Sequence, residues 1–276
     1  MAKIINNKKN IRKKGRRKRF KSVSISKLTR FSFLPSVFTI FNLFLGYMAI
    51  LQIIKNNFIT ACYLITLGVI MDGFDGTIAR ITKTESNFGM QLDSLVDAIT
   101  FGFVPTVFIY IWGFQSVHPQ NGKILGFIFL SAGIIRLARF NVLKEADAFP
   151  ANVFIGLPIP VGAISILSVV LILKDPIQEQ SHLILFSLYI ILIAFLMISN
   201  VKYRTLKKIN SKHNLLVLFI VAISIALLIM YPSYAIPIFT LVYVVSPIFF
   251  FISNKLKKNR AKSKVKESAD KLTENL

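Results

Sequence analysis

Acidic residues are scarce in this 276-residue chain, with 12 Asp and Glu against 34 Lys and Arg. Cysteine is almost absent. Cys62 stands alone in an apolar stretch, which excludes an intrachain disulfide and a cysteine metal centre. The three histidines, His118, His182 and His213, fall in breaks or near the ends of apolar runs, and no paired H-x-K pattern occurs, so a histidine nucleophile is not expected. Charged residues of any kind make up only 17% of the chain and hydrophobic ones 54%. That is too apolar for a soluble domain of this length and points to a bilayer. No small-residue cleavage site follows the first apolar run, and the basic stretch before it is too long for a signal peptide, so that run is expected to be retained.

The charge that is present sits at the ends. Residues 1–30 hold thirteen Lys and Arg with no acid, and residues 254–276 hold eight against three acids. The net charge of +22 therefore comes from tails and loops rather than one folded basic face, and no nucleic-acid partner is expected. Clusters such as IRKKGRRKRFK (11–21) suit anionic lipid headgroups, at roughly 1 kcal/mol per basic residue near the surface. A solvated tail that merely sets orientation is the alternative.

Apolar runs long enough to cross about 30 Å of hydrocarbon, roughly 20 helical residues each, occur near 32–54, 58–81, 88–114, 123–142, 155–174, 182–200, 214–231 and 234–253. The expected fold is an all-α integral membrane protein of about eight transmembrane helices. Polar punctuation separates them: KNN at 55–57, HPQNGK at 118–123, KDPIQEQ at 174–180, KYRTLKK at 202–208 and YPSY at 231–234. With both termini cytoplasmic, the inside segments collect 31 of the 34 Lys and Arg, leaving Lys55, Lys123 and Lys174 outside. The expected organisation is a basic arm (1–30), a catalytic core (31–210), two additional helices (211–253) and a basic tail (254–276).

The informative stretch reads DGFDGTIARITKTESNFGMQLDSLVD, residues 72–97. It places Asp72, Asp75, Asp93 and Asp97 inside two apolar runs, where each ionised side chain near a bilayer centre costs about 2.5 to 3.5 kcal/mol. Something positive must compensate them. Asp72, Asp75, Gly76, Ala79 and Arg80 share one helical face, and Gly89, Asp93 and Asp97 share a face of the next helix. A short turn near 82–87 makes the two helices antiparallel neighbours. At 1.5 Å per residue, Asp75 and Asp93 lie about 9 and about 8 Å from that turn, so the pairs meet at one depth. An all-oxygen site suits Mg²⁺ or Mn²⁺, and two ions balance four carboxylates. Gly73, Gly76, Ala79 and Gly89 keep the acid-bearing face free of bulk, although helix packing alone also selects small residues.

These residues reproduce the motif D-x2-D-G-x2-A-R-x8-G-x3-D-x3-D from Asp72 to Asp97, and in this the chain resembles the CDP-alcohol phosphatidyltransferases. The resemblance implies an enzyme that moves a phosphatidyl group from a CDP-linked lipid to an alcohol and releases CMP. It also implies that the family's six-helix catalytic core lies in the first six spans. Carried over, Asp72, Asp75 and Asp93 are metal ligands, and Asp97 is the general base that also touches one ion. Gly76, Ala79, Arg80, Ser86 and Gly89 fall at positions expected to contact CDP-diacylglycerol. Relatives in the family are commonly dimers, so a homodimer is expected from the resemblance.

The acceptor is narrowed by other stretches. PSVFTIFNLFLGY (35–47), DSLVDAITFGFVP (93–105), RLARFN (136–141), FIGLPIP (154–160) and LMISNVKYRTLK (196–207) are similar to the bacterial membrane phosphatidylserine synthases. L-serine is the acceptor this implies, and the cytoplasmic membrane the location, with the active site facing the cytoplasm. Arg136, Arg139 and Asn141 are candidates to hold the serine carboxylate or the transferring phosphate, against ordinary snorkelling. Thr39 and Asn42 are candidates to line the headgroup pocket, against interhelical hydrogen bonding. Three alternatives stay open: a different acceptor such as glycerol 3-phosphate, a divalent-cation transporter, and a catalytically dead lipid-binding scaffold.

Overall fold

The computed structural model describes residues 33–82, 86–145, 153–204, 222–224 and 226–247. Both basic arms, half of the expected seventh span and the end of the eighth lie outside the described residues, as do the side chains of Asp75, Ala79 and Arg80. In hydrocarbon, backbone amides and carbonyls have no water to bond, so an apolar chain closes its bonds within helices. Five helices among the described residues are long and apolar enough to cross a membrane. The chain is a helical integral membrane protein.

Helix α1 (Phe33–Ile54) turns back into α2 (Phe58–Thr82) over the KNN break. Asn56 takes the left-handed conformation there, at φ 59°. Its N–H bonds the Ile53 carbonyl at 3.0 Å, and the Asn57 N–H bonds the Gln52 carbonyl at 2.8 Å. This is a Schellman closure, with asparagine in the position usually given to glycine. A third span runs from Asn87 to Phe114. It begins as α3 (Asn87–Asp97), widens into a π turn (Ala98–Phe103), passes through α4 (Val104–Phe108) and widens again (Ile109–Phe114). The first widening precedes Pro105, which has no N–H and would crowd the carbonyl four residues back; a wider turn relieves the clash. Then α5 (Pro119–Glu145) crosses back.

The fifth apolar run departs from expectation. In place of one span over 155–174, it forms strand β1 (Val153–Ile155), a bend at Gly156, and the short helices α6 (Ile159–Leu167) and α7 (Val169–Leu173). Pro158 and Pro160 bracket the helix start and restrict its backbone. From Ile159 to Leu173 the helical stretch is shorter than a full crossing. Seven of the nine α6 residues are buried, so its apolar composition reflects core packing. Helix α8 (Gln180–Ile198) follows, and then β2 (Lys202–Arg204), which pairs antiparallel with β1 through Phe154 and Tyr203. This ribbon occupies part of the KYRTLKK break.

A further apolar helix, α9 (Pro232–Pro247), is docked on the bundle. The Tyr63 hydroxyl lies 3.1 Å from the Ser233 hydroxyl. Toward its other end, Tyr243 stacks on Tyr203 at 5.4 Å between ring centroids, and the Tyr203 hydroxyl donates to the Val244 carbonyl at 3.5 Å.

The alternation of the spans gives the bundle two ends. At one, Phe58, Phe108, Trp112, Phe114 and Phe186 form a chain of ring contacts, with Phe108 and Trp112 stacked at 5.0 Å and Trp112 edge-on to Phe186 at 5.4 Å. At the other end lie the aspartates.

Candidate metal and transfer site

Residues 83–85, between α2 and α3, lie outside the described residues; α3 begins at its cap, Ser86. The Ser86 backbone is extended and its hydroxyl accepts the Gly89 N–H at 3.0 Å. That bond satisfies one of the free amides at the helix start. Ser86, one of the expected CDP-diacylglycerol contacts, is the N-cap that launches the acid-bearing helix. Gly89 lies under that cap, where an added Cβ would come within 3.2 Å of the Ser86 hydroxyl.

Two helices bring three carboxylates together. Asp72 on α2 and Asp93 and Asp97 on α3 each offer an oxygen within 4.8 Å of the others, with Asp97 buried and the other two half-buried. This is the convergence expected from the spacing of the two acidic faces. The backbone of Asp75 lies on α2 one turn after Asp72, and its side chain is outside the described residues. Carboxylate oxygens at this separation can contact one hard cation, whose preferred ligands are oxygens. The donor set therefore fits a divalent metal.

Open space lies alongside. Among the described residues, a Cβ at Gly73 or Gly76 would meet nothing within 4 Å. Ala79 and Arg80 continue the same helix, their side chains outside the described residues.

The RLARFN segment on α5 sends its three candidate residues in different directions. Arg136 is 7% exposed, its guanidinium lies over the Phe140 ring at 5.5 Å, and its Nε has no hydrogen-bond partner. Arg139 is turned to the chain's own backbone. It donates to the carbonyls of Ile198 at 2.7 Å, Ser199 at 3.0 Å, Ile155 at 3.2 Å and Met197 at 3.4 Å, and to the Asn200 side chain at 3.3 Å. A cation at the C-terminus of α8 satisfies carbonyls that no helical amide reaches. Asn141 faces the Ser94 hydroxyl at 2.9 Å, between Asp93 and Asp97.

Gly156 completes the Arg139 knot. Its φ is +78°, and an added Cβ would strike the Met197 carbonyl and stand 2.7 Å from Arg139 Nη2. The stretches 136–141 and 154–160 and the described part of 196–207, scattered in sequence, thus share this junction.

Asn42 is fully buried between α1 and α2, where a Cβ on Gly68 would come within 2.8 Å of its Oδ1. Its backbone carbonyl accepts from the Thr100 hydroxyl at 3.5 Å, and neither atom of its side-chain amide has a hydrogen-bond partner. Sequence reasoning singled out none of Ser94, Gly156, Tyr203 and Tyr243, although the first three fall within the quoted stretches 93–105, 154–160 and 196–207.

Fold and site together define a helical membrane protein with a carboxylate cluster on two of its apolar spans, whose oxygens fit a divalent metal. The profile of the CDP-alcohol phosphatidyltransferase family matches residues 32–198. A CDP-diacylglycerol–serine O-phosphatidyltransferase of Helicobacter pylori is 36% identical over 234 residues, covering 83% of this chain and 96% of that one. One from Methanocaldococcus jannaschii is 34% identical over 215 residues, covering 78% and 92%. The archaetidylserine synthase of Methanothermobacter thermautotrophicus is 35% identical over 181 residues, covering 64% and 72%. The chain belongs to the CDP-alcohol phosphatidyltransferase family.

Proposed function

We propose that the protein is an enzyme that transfers a phosphatidyl group from CDP-diacylglycerol to the hydroxyl of L-serine, giving phosphatidylserine and CMP. The observation that carries this reading is the convergence of Asp72, Asp93 and Asp97 beside the open glycine face of α2, in a chain whose relatives are named for serine transfer.

Asp72, Asp75, Asp93 and Asp97 would hold Mg²⁺ or Mn²⁺, two ions by charge balance, and such ions when bound act as Lewis acids and offset charge on the departing nucleotide. Gly76, Ala79, Arg80, Ser86 and Gly89 line the path of the CDP moiety; at Gly76 the missing side chain leaves room for it. Asp97, buried within the cluster, accepts the serine hydroxyl proton. The freed oxygen attacks the phosphorus bearing diacylglycerol, a phosphorus–oxygen bond forms, and the bond to CMP breaks on the opposite side. Positioning and charge supply most of the rate in such transfers. Arg136, buried with an unbonded Nε, would hold an anionic oxygen of the phosphate or of the serine carboxylate.

The same proposal puts the acid end of the bundle at the cytoplasmic face of the inner membrane, where nucleotide and amino acid are available. It keeps the division into a basic arm (1–30), a catalytic core (31–210), two added helices (211–253) and a basic tail (254–276), with the arms on anionic lipid and the protein a homodimer. The test is CMP release from CDP-diacylglycerol with Mn²⁺ or Mg²⁺ and each alcohol in turn. Release that depends on serine is expected. Activity with glycerol 3-phosphate and none with serine would reject the acceptor, and metal uptake by proteoliposomes without any CMP formation would reject the chemistry.

A further inference from the structure

Helix α3 is short for the task it carries. It spans 11 residues, from the Ser86 cap to Asp97, and runs directly into a π turn. With side chains reaching about 6 Å from the axis, a rotation of about 20° would move a carboxylate by about 2 Å. Metal–ligand distances tolerate roughly 0.2 Å. Something outside the helix must hold its rotation.

A tie from α5 is present at the right place. Ser94 sits between Asp93 and Asp97. Its hydroxyl lies 3.1 Å from the Met90 carbonyl, 2.9 Å from Asn141 Nδ2 and 3.3 Å from Asn141 Oδ1. The consistent assignment has Asn141 Nδ2–H donating to Ser94 Oγ while the hydroxyl hydrogen goes to Met90. The inner end of α5 therefore addresses α3 at the level of the acids.

We propose that Asn141, acting through Ser94, is a positioning residue that sets the rotation of α3 and so keeps the carboxylates of Asp93 and Asp97 converged with that of Asp72. This rests on the metal reading above and changes the part expected for Asn141, from a contact with the acceptor to a brace for the acid helix. Both ends of its carboxamide are turned to Ser94, and the acceptor-facing candidate on the same segment is Arg136.

The test uses the full-length protein in lipid nanodiscs, with Asn141→Ala, Ser94→Ala, the double variant, and the exchange Ser94→Asn with Asn141→Ser. Mn²⁺ affinity is read by electron paramagnetic resonance without lipid substrate, with Asp93→Asn marking the site, and KM for serine is measured alongside. Each single variant is expected to weaken Mn²⁺ binding about 10-fold, the low end for groups that orient metal ligands. The double variant should lose no more, the exchange should recover most of the loss, and KM for serine should stay within about 2-fold. A raised serine KM in Asn141→Ala, with unchanged Mn²⁺ affinity and a silent Ser94→Ala, would overturn the proposal. So would additive losses, or no change in any variant. A wild-type protein that binds Mn²⁺ yet fails to use serine would reject the acceptor and leave the brace standing, whereas one that binds no Mn²⁺ would reject both.

Discussion

Glycines at the two ends of the bundle do opposite things. At the aromatic end a Cβ on Gly113 would come within 2.7 Å of the Phe186 ring, and one on Gly122 within 2.6 Å of Phe114. At the acid end a Cβ on Gly73 or Gly76 would meet nothing within 4 Å. The first pair let helices approach, which is the usual use of small residues between membrane helices. The second pair leave space that no atom of the described residues fills within 4 Å, on the helix that carries Asp72. One end is packed shut, and the proposed function uses the openness of the other to admit a ligand.

The largest effect that would sharpen this contrast belongs to the acid end. Asp97→Asn keeps the shape of the side chain and removes its ability to take a proton, so turnover is expected to fall by about 10²- to 10⁴-fold. The thermal midpoint in detergent should stay within a few degrees, and wild-type CMP release from this variant would remove Asp97 from the chemistry. At the aromatic end the opposite pattern is expected. Gly113→Ala pushes a methyl into the Phe186 ring and should cost about 1 to 3 kcal/mol of stability, read as a lower thermal midpoint, with activity per folded molecule unchanged. Gly76→Ala should do neither. Its methyl enters open space, helix propensity favours alanine by about 0.8 to 1 kcal/mol, and the midpoint should hold or rise while KM for CDP-diacylglycerol increases. If Gly76→Ala lowered stability as Gly113→Ala does, the two ends would not differ in kind.

The smallest effect expected is at the junction between them and the last helix. Tyr203→Phe removes a 3.5 Å bond to the Val244 carbonyl and keeps the stack on Tyr243. The loss should be under about 1 kcal/mol, whereas Tyr203→Ala, which also removes the ring, should detach α9 and lower the midpoint by several degrees. Equal midpoints for the two variants would mean that the stack holds nothing.

Much of this was readable from the chain. The KNN break became the Asn56 closure because asparagine accepts a left-handed backbone, and that preference is local. The grouping of Asp72 with Asp93 and Asp97 followed from a helical repeat and a short connection. The split of the fifth run was harder to see. In a bilayer, positions facing lipid and positions facing protein are both apolar, so α6 reads like a crossing although most of it is core. The fates of Arg139 and Asn141 were hidden for another reason. They sit two residues apart on one helix, and which neighbour each meets depends on where α8 and α3 end.

Local chemistry and helical geometry were enough to place this protein in a membrane, to bring its acids to one depth and to tie it to a family motif. The π turns, the ribbon, the Arg139 knot and the Asn141–Ser94 tie needed the folded chain. The ribbon, the knot and the tie join residues far apart in sequence, and the first π turn answers a backbone clash at Pro105; neither kind of feature leaves a period in the order of amino acids.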